Sequence, residues 1–257
     1  DGKQLLVASN ETGKYGIYLV NTINGERKRL TGDSIIAVEP FWSPDGKQIG
    51  YRSNYRNKWS VVVHSLITGK TRPVFESDSI ILFGSDWAPD GKRLAFTGTS
   101  LGKASIYTLD LETSSLKKAT NGGDEYYPRW NHREDELTYF TGKYDSIMVL
   151  NFTTGTTRCI NKGKFSGWSP CFSPDNRKLA FISEKNGHWD LWATSVSNPL
   201  PTQLTKNGFD DSPDWSPDGE SIVISRLMTV NQLYRLQRLT SSVEQVTNAE
   251  FDQIDYR

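Results

Sequence analysis

Short apolar runs recur along the whole chain, and clusters of Gly, Asn, Asp and Pro separate them. Typical runs are Leu5-Leu-Val-Ala-Ser9, Leu94-Ala-Phe-Thr97 and Leu179-Ala-Phe-Ile-Ser183, and β-branched and aromatic residues are enriched in such runs. No segment keeps the 3.6-residue apolar period of a helix. Short runs of this composition between turn residues are typical of β-strands. The pattern therefore predicts an all-β chain.

A turn sequence recurs at regular intervals. Close copies are Trp42-Ser-Pro-Asp-Gly46, Trp87-Ala-Pro-Asp-Gly91, Phe172-Ser-Pro-Asp-Asn176 and Trp215-Ser-Pro-Asp-Gly219. With Trp130 and Tyr256, the aromatic residues that open these turns form a series of six markers, spaced 41 to 45 residues apart. Each period holds four strands, A to D, and the turn joins strand A to strand B. A period of this length indicates a propeller or a solenoid.

Four-stranded units repeated radially form a β-propeller. We therefore predict an all-β, six-bladed β-propeller of four-stranded antiparallel blades, with one domain over residues 1–257 that is excised from a longer protein. Closure is predicted to be of the velcro type, with residues 252–256 as the innermost strand of the N-terminal blade. This arrangement would leave no long unpaired strand edge.

The aromatic-Ser-Pro-Asp-Gly-Lys turn, followed by a Leu/Ile-Ala-Phe strand, resembles the repeat of the TolB-like six-bladed propeller family over essentially the whole chain. Blade four departs from it, because Asn131-His-Arg-Glu134 replaces Ser-Pro-Asp-Gly. The resemblance implies a non-catalytic binding or scaffold protein in the periplasm or another extracytoplasmic part of the bacterial cell envelope. Two alternatives stay open: the sensor domain of a membrane-bound regulator, and the propeller part of a peptidase or polysaccharide lyase-like enzyme.

Charge and motifs exclude several classes of function. Thirty basic residues balance thirty acidic ones, so no global field attracts nucleic acid. The sequence has no apolar run long enough to insert directly into a membrane. It also lacks the nucleophile elbow, the phosphate-binding loop and the His-Glu-x-x-His pair. The three histidines fall in separate blades, so we predict no catalytic residues, no metal and no cofactor.

The start of each innermost strand is the candidate binding position, because the D–A loops of a propeller surround the mouth of its channel. Four residues before the markers lie Val38, Phe83, Tyr126, Trp168, Asp211 and Asp252, with Glu125 and Asp210 beside them. Aromatic faces there would stack on a protein segment or a small ligand, and the acids would meet a cation or hydroxyl groups. The alternative is that the aromatics pack between blades and the acids bind backbone amides. The predicted binding residues are Phe83, Glu125, Tyr126, Trp168, Asp210, Asp211 and Asp252.

The sequence also predicts where several further channel, loop and cysteine residues lie. One step before the markers lie Phe41, Asp86, Arg129, Cys171, Asp214 and Asp255, which would make the channel locally acidic. Trp59 and Trp189 end two B–C loops, and we expect them to pack against the core or a blade edge. Cys159 and Cys171 are expected on strands too distant for a disulfide. We expect a monomer with a protein or peptide partner.

Overall fold

A computed structural model describes residues 2–133, 135–142, 146–206, 208–227, 231–238 and 242–247, and the backbone of 253–256. Within these residues the chain forms 24 β-strands and one short 3₁₀ turn at Tyr55–Asn57. No helix among them is long and apolar enough to cross a membrane.

The strands of the first three blades alternate with tight turns. They are β1 (Gln4–Ser9), β2 (Gly16–Asn21), β3 (Arg27–Arg29), β4 (Ala37–Trp42), β5 (Gln48–Ser53), β6 (Ser60–Ser65), β7 (Thr71–Glu76), β8 (Ile81–Trp87), β9 (Arg93–Ser100), β10 (Lys103–Asp110) and β11 (Leu116–Lys118).

The remaining blades repeat the same order. Their strands are β12 (Glu125–Trp130), β13 (Glu136–Thr141), β14 (Ser146–Asn151), β15 (Thr157–Cys159), β16 (Trp168–Phe172), β17 (Lys178–Lys185), β18 (His188–Ser195), β19 (Thr202–Gln203), β20 (Asp210–Trp215), β21 (Ser221–Leu227), β22 (Asn231–Gln237), β23 (Ser242–Gln245) and β24 (Gln253–Tyr256).

The described strands pair into six four-stranded antiparallel sheets, which confirms the predicted six-bladed propeller. Blade 1 has the order β24-β1-β2-β3, and blades 2 to 6 are β4–β7, β8–β11, β12–β15, β16–β19 and β20–β23. The C-terminal strand β24 pairs with β1 and contacts β4 on one side and β21 and β22 on the other. The ring of blades is thereby closed.

The hydrophobic core is divided among the blade interfaces. Each of six clusters of buried side chains spans two or more neighbouring blades. Between blades 4 and 5, for example, Ile147 and Val149 pack against Leu179 and Phe181. The two faces of each blade pack against the adjacent blades, so the apolar positions of strands B and C recur in every repeat.

The Ser-Pro-Asp-Gly turns are held by their own side chains. In blade 2 the Ser43 hydroxyl donates to Asp45 Oδ1 at 2.7 Å, and Lys47 N donates to the same oxygen at 3.0 Å. The Ser43 hydroxyl bond is the largest cause of the lowered pKa of Asp45. In blade 4, Asn131 and Asp135 form the corresponding side-chain bond at 2.6 Å. The turn aspartates therefore serve the scaffold, as the sequence predicts.

Candidate functional site

A β-bulge lies near the start of the innermost strand in blades 2 to 6. In blade 6, Asp211 pairs with Ser225 and Asp214 pairs with Val223, so three steps along β20 match two steps along β21. Side chains two positions apart on a strand share a face. The bulge therefore puts Asp211 and Asp214 on the same face, although three residues separate them.

The bulge residue takes a left-handed backbone conformation in every one of these blades. The residues and their φ angles are Glu39 (54°), Gly84 (59°), Tyr127 (52°), Ser169 (48°) and Ser212 (47°). A proline follows each of them except Gly84. Proline inside a strand pattern is confined to edges, strand starts and bulges, so these prolines are the sequence signal from which the bulges could have been predicted.

The predicted aromatic residues contact residues of neighbouring blades. The Phe83 and Tyr126 rings stack with centroids 6.0 Å apart, and Tyr126 also stacks on Phe140 at 5.6 Å. Trp168 is largely buried and donates its indole N–H to Asp211 Oδ1 at 3.3 Å. The aromatic side chains therefore pack between blades, while Phe83 and Tyr126 keep part of their surface exposed.

Asp211 lies in an environment that disfavours its charge. Burial raises the pKa of its carboxyl, although hydrogen bonds from Ser212 N, Trp168 and Ser169 partly oppose the shift. The bond from Ser212 N measures 2.7 Å. The carboxylate is thus preorganised by three donors at the interface of blades 5 and 6.

Glu125 and Asp210 are held where neighbouring blades meet, because Thr120 and Thr205 also cap strands of the preceding blades at Ile106 N and Leu191 N. Asp210 is fully buried, pairs with Arg226 at 2.6 and 3.2 Å, and accepts a hydrogen bond from the Thr205 hydroxyl. Glu125 accepts the corresponding bond from Thr120, and burial raises its pKa. The structure gives both carboxylates a scaffold role, and their contact with a ligand stays a prediction. Asp252 lies outside the described residues.

Three exposed aromatic side chains lie beside the predicted residues. Trp189 and Phe209 are 41% and 42% exposed, and Trp189 packs edge-on against both Phe209 at 5.9 Å and Trp168 at 5.7 Å. Trp59, in blade 2, is 44% exposed and stacks under Arg52 at 4.6 Å. Trp189 packs at a blade edge, as expected, but both Trp59 and Trp189 keep more than 40% of their surface exposed. We call Phe83, Tyr126, Trp168, Trp189 and Phe209 the aromatic face.

A cavity of about 760 Å³ opens at the opposite end of the propeller, among the A–B turns. Its lining includes the marker aromatics Trp42, Trp87, Trp130, Phe172 and Trp215. The sequence pattern favoured the other mouth of the channel as the binding site, because the D–A loops differ most between blades. The marker aromatics occur in every copy of the turn, so the sequence indicated only a scaffold role for them.

An ion triad lies across the channel in this cavity. Arg129 of blade 4 pairs with Asp214 of blade 6 at 2.7 Å and lies 3.8 Å from Asp86 of blade 3. Burial works against the charge of Arg129, but the two carboxylates outweigh it and raise its pKa. The small residue Cys171 holds the equivalent position in blade 5 and lines the same cavity. Arg129 therefore partly neutralises the acidic charge that the sequence predicted for the channel.

The histidines and cysteines take separate positions. His64 contacts Thr71 Oγ1 at 2.9 Å through Nδ1, and burial lowers its pKa. His132 lies in an A–B turn and His188 beside Phe209. Cys159 and Cys171 are not joined by a disulfide. The part of the chain that the structure covers holds no group of three or more His, Cys, Asp or Glu side chains with metal-binding geometry.

A family model for the TolB beta propeller domain matches residues 125–254, half of the chain. The chain belongs to this family. The Tol-Pal system protein TolB of Francisella tularensis is 27% identical over 84% of the chain and 52% of its own length. A TolB homolog of Chlorobium chlorochromatii is 27% identical over 72% of the chain and 32% of its own length. The chain thus spans about a third to a half of the curated relatives it matches.

The solved structures agree with this assignment at the level of the fold. The TolB structure from Acinetobacter baumannii superposes with a TM-score of 0.88 and 20% identity, covering 98% of this chain and 65% of that one. At this identity the likeness shows the fold alone.

Proposed function

We propose that this propeller is a non-catalytic binding module that docks a protein segment on the aromatic face. The observation that carries the proposal is the cluster of Trp168, Trp189 and Phe209 beside the carboxyl of Asp211. Large aromatic side chains give binding hot spots because they bury much area and lose little conformational entropy. Two of these rings are more than 40% exposed in the isolated chain, so a partner could still bury them.

The chemistry of the face indicates what kind of segment it would hold. The exposed rings suit an apolar, aromatic or proline side chain. Asp211, whose pKa burial raises, suits a hydrogen-bond donor from the segment rather than a fully hydrated cation. The arrangement therefore favours a short peptide that combines an apolar anchor with a nearby donor.

The relatives suggest where the module works. The Francisella protein carries the name of the Tol-Pal system, so we propose by analogy that this chain serves an envelope protein assembly in the periplasm. We propose that it does so as a monomer. The chain matches about half of the Francisella protein's length, so the proposed role concerns the propeller alone.

Photo-crosslinking tests the proposal. A photoreactive amino acid at Phe209 should crosslink one defined envelope protein, whereas the same group at Ile67 should not. Ile67 is 71% exposed and lies in a C–D turn at the other end of the propeller. The affinity for that protein is then measured with purified variants.

Trp189→Ala, Tyr126→Ala and Asp211→Ala should each weaken binding, with Trp189→Ala costing about 1–2 kcal/mol or more, which is roughly a five- to thirtyfold loss of affinity. The matched control Ile67→Ala should bind like the wild type, and thermal melts report whether each variant is folded. Equal affinities for Trp189→Ala and Ile67→Ala would contradict the proposal.

A further inference from the structure

The cavity among the A–B turns has features of a second binding site, distinct from the aromatic face. Its volume of about 760 Å³ lies within the range of small-molecule pockets. Aromatic and proline side chains form its rim, and Asp86, Arg129 and Asp214 lie inside it. A concave, mostly apolar site with a few converging polar groups is the usual form of a ligand pocket.

The balance of charge inside the cavity is negative. Asp86 and Asp214 both lie close to the guanidinium of Arg129. The remaining charged residues of the described lining neutralise locally, since Asp45 lies near Lys47 and Arg235 pairs with Glu244. Among the lining residues that the structure describes, three carboxylates (Asp45, Asp86 and Asp214) outnumber two guanidiniums (Arg129 and Arg235), which favours a cation over an anion.

Asp214 offers the open position for that cation. Its Oδ1 accepts hydrogen bonds from Arg129 at 2.7 Å and from Trp215 N at 3.1 Å. No residue in the described part of the chain donates a hydrogen bond to its Oδ2, and the side chain is 27% exposed. A ligand ammonium or guanidinium could bind Oδ2 without displacing Arg129.

The aromatic rim suits an organic cation better than a hydrated inorganic ion. The indoles of Trp42 and Trp215 are half-buried in the lining. Tryptophans on this side of the molecule already bind cations: Arg93 lies 5.0 Å above the Trp130 ring and Arg238 lies 5.4 Å above the Trp215 ring. Indole rings attract cations through their π-electrons and also cover the apolar stem of an amine.

We propose that this cavity binds an organic cation, either a free polyamine or the basic side chain of a protein, with the positive charge on Asp214 and the stem against the tryptophan rim. Both sources share an ammonium or guanidinium at the end of an apolar chain. The site goes beyond the proposed function, because it lies at the other end of the channel and needs no residue of the aromatic face.

Indole N–H signals in NMR spectra of the wild-type protein test the proposal directly. Putrescine represents the free amine, and a blocked Gly-Lys-Gly peptide represents the basic side chain. Either probe should shift the signals of Trp42 and Trp215 and leave those of Trp59 and Trp189 unchanged. Single Trp→Phe variants assign the signals, and sodium chloride at equal ionic strength controls for salt. Shifts confined to Trp59 and Trp189, or no shifts at all, would overturn the proposal.

Two charge variants test the same site, one expected to lower and one expected to raise the affinity for the probe. Asp214→Asn should lower the affinity for the bound probe about tenfold or more, since a charge-assisted hydrogen bond is lost. Arg129→Gln should raise it, because the guanidinium of Arg129 no longer competes with the probe for Asp86 and Asp214. Asp218→Asn is the matched control: this exposed carboxylate binds Ser216 and Glu220 N in the turn and does not line the cavity. Equal affinities for Asp214→Asn and Asp218→Asn would refute the assignment.

Discussion

The ion pair between Arg129 and Asp214 should be a major stabilising contact between blades 4 and 6. The two side chains are 17% and 27% exposed and meet at 2.7 Å, so solvent screens them only in part. At an effective dielectric constant of 20, two unit charges about 4 Å apart attract by about 4 kcal/mol. Desolvation opposes this, and a hydrogen bond to a charged group contributes about 1.5–3 kcal/mol net. We expect a coupling free energy of about 2 kcal/mol.

The geometry also predicts an asymmetry between the two single variants. After Asp214→Asn, Arg129 still has Asp86 at 3.8 Å, so we expect the free energy of unfolding to fall by about 2 kcal/mol. After Arg129→Met, the partly buried carboxylates of Asp86 and Asp214 both lose the Arg129 guanidinium. Removing one partner of a buried pair costs about 3–5 kcal/mol, and we expect a loss toward the lower end of that range.

A double-mutant cycle measures both quantities. Arg129→Met, Asp214→Asn and the double variant are compared with the wild type by denaturant unfolding, and thermal melts should shift by about 2–4 °C per kcal/mol for a chain of this size. The double variant should lose less than the sum of the single losses. A coupling energy below about 0.5 kcal/mol, or a larger loss for Asp214→Asn than for Arg129→Met, would refute the reasoning.

Three further predictions concern the bulges, the strand contacts and the pH dependence of stability. Gly84→Ala should lower the free energy of unfolding by about 1–3 kcal/mol, because φ is 59° and a Cβ would lie 2.7 Å from the Tyr127 ring. Thr205→Val should cost about 1–3 kcal/mol, because Leu191 N and Asp210 both lose the buried Thr205 hydroxyl. Asp211→Asn should gain stability relative to the wild type at neutral pH. A carboxyl whose folded pKa is raised contributes stability at low pH and loses it as pH rises above its unfolded value of about 3.9.

Each of these predictions has its own control. Gly123→Ala, where a Cβ meets nothing within 4 Å, should leave the melting temperature nearly unchanged; an equal loss at Gly84 and Gly123 would be evidence against the steric cause. Thr154→Val removes a solvent-exposed hydroxyl that bonds Asn151 and Thr156 in a turn, where water can replace it, and should cost less than Thr205→Val. The relative gain of Asp211→Asn should shrink in melts near pH 3, and a gain that is independent of pH would contradict the role of burial.

The repeat pattern was sufficient to predict the fold. Strand length, turn chemistry and period are local properties, and the Ser-Pro-Asp turns of blades 2, 5 and 6 are each closed by a bond between their own Ser and Asp side chains. Because six copies carry the same information, the worn copy at Asn131 did not obscure the blade count. The sequence also placed Phe83 and Tyr126 on neighbouring blades, where their rings do meet.

The roles of individual site residues were harder to predict. Glu125 and Asp210 resemble ligand-binding acids in the sequence, but Thr120 and Thr205, five residues upstream, bind them where neighbouring blades meet. Trp189 was expected to pack against the core or a blade edge, and at the start of β18 it stays 41% exposed. Such outcomes depend on how far a side chain reaches and on what lies beside it, which the periodicity of one strand does not specify.

The sequence by itself determined the six-bladed architecture, the turns and the apolar positions of the blade interfaces, since these follow from local propensities repeated along the chain. Only the tertiary structure decided which residues cooperate across the ring. The bulges place residues three positions apart on the same face of a strand. Arg129 of blade 4 extends beyond Cys171 of blade 5 to pair with Asp214 of blade 6. Both effects depend on distances between strands far apart in sequence, and these distances exist only once the ring has closed.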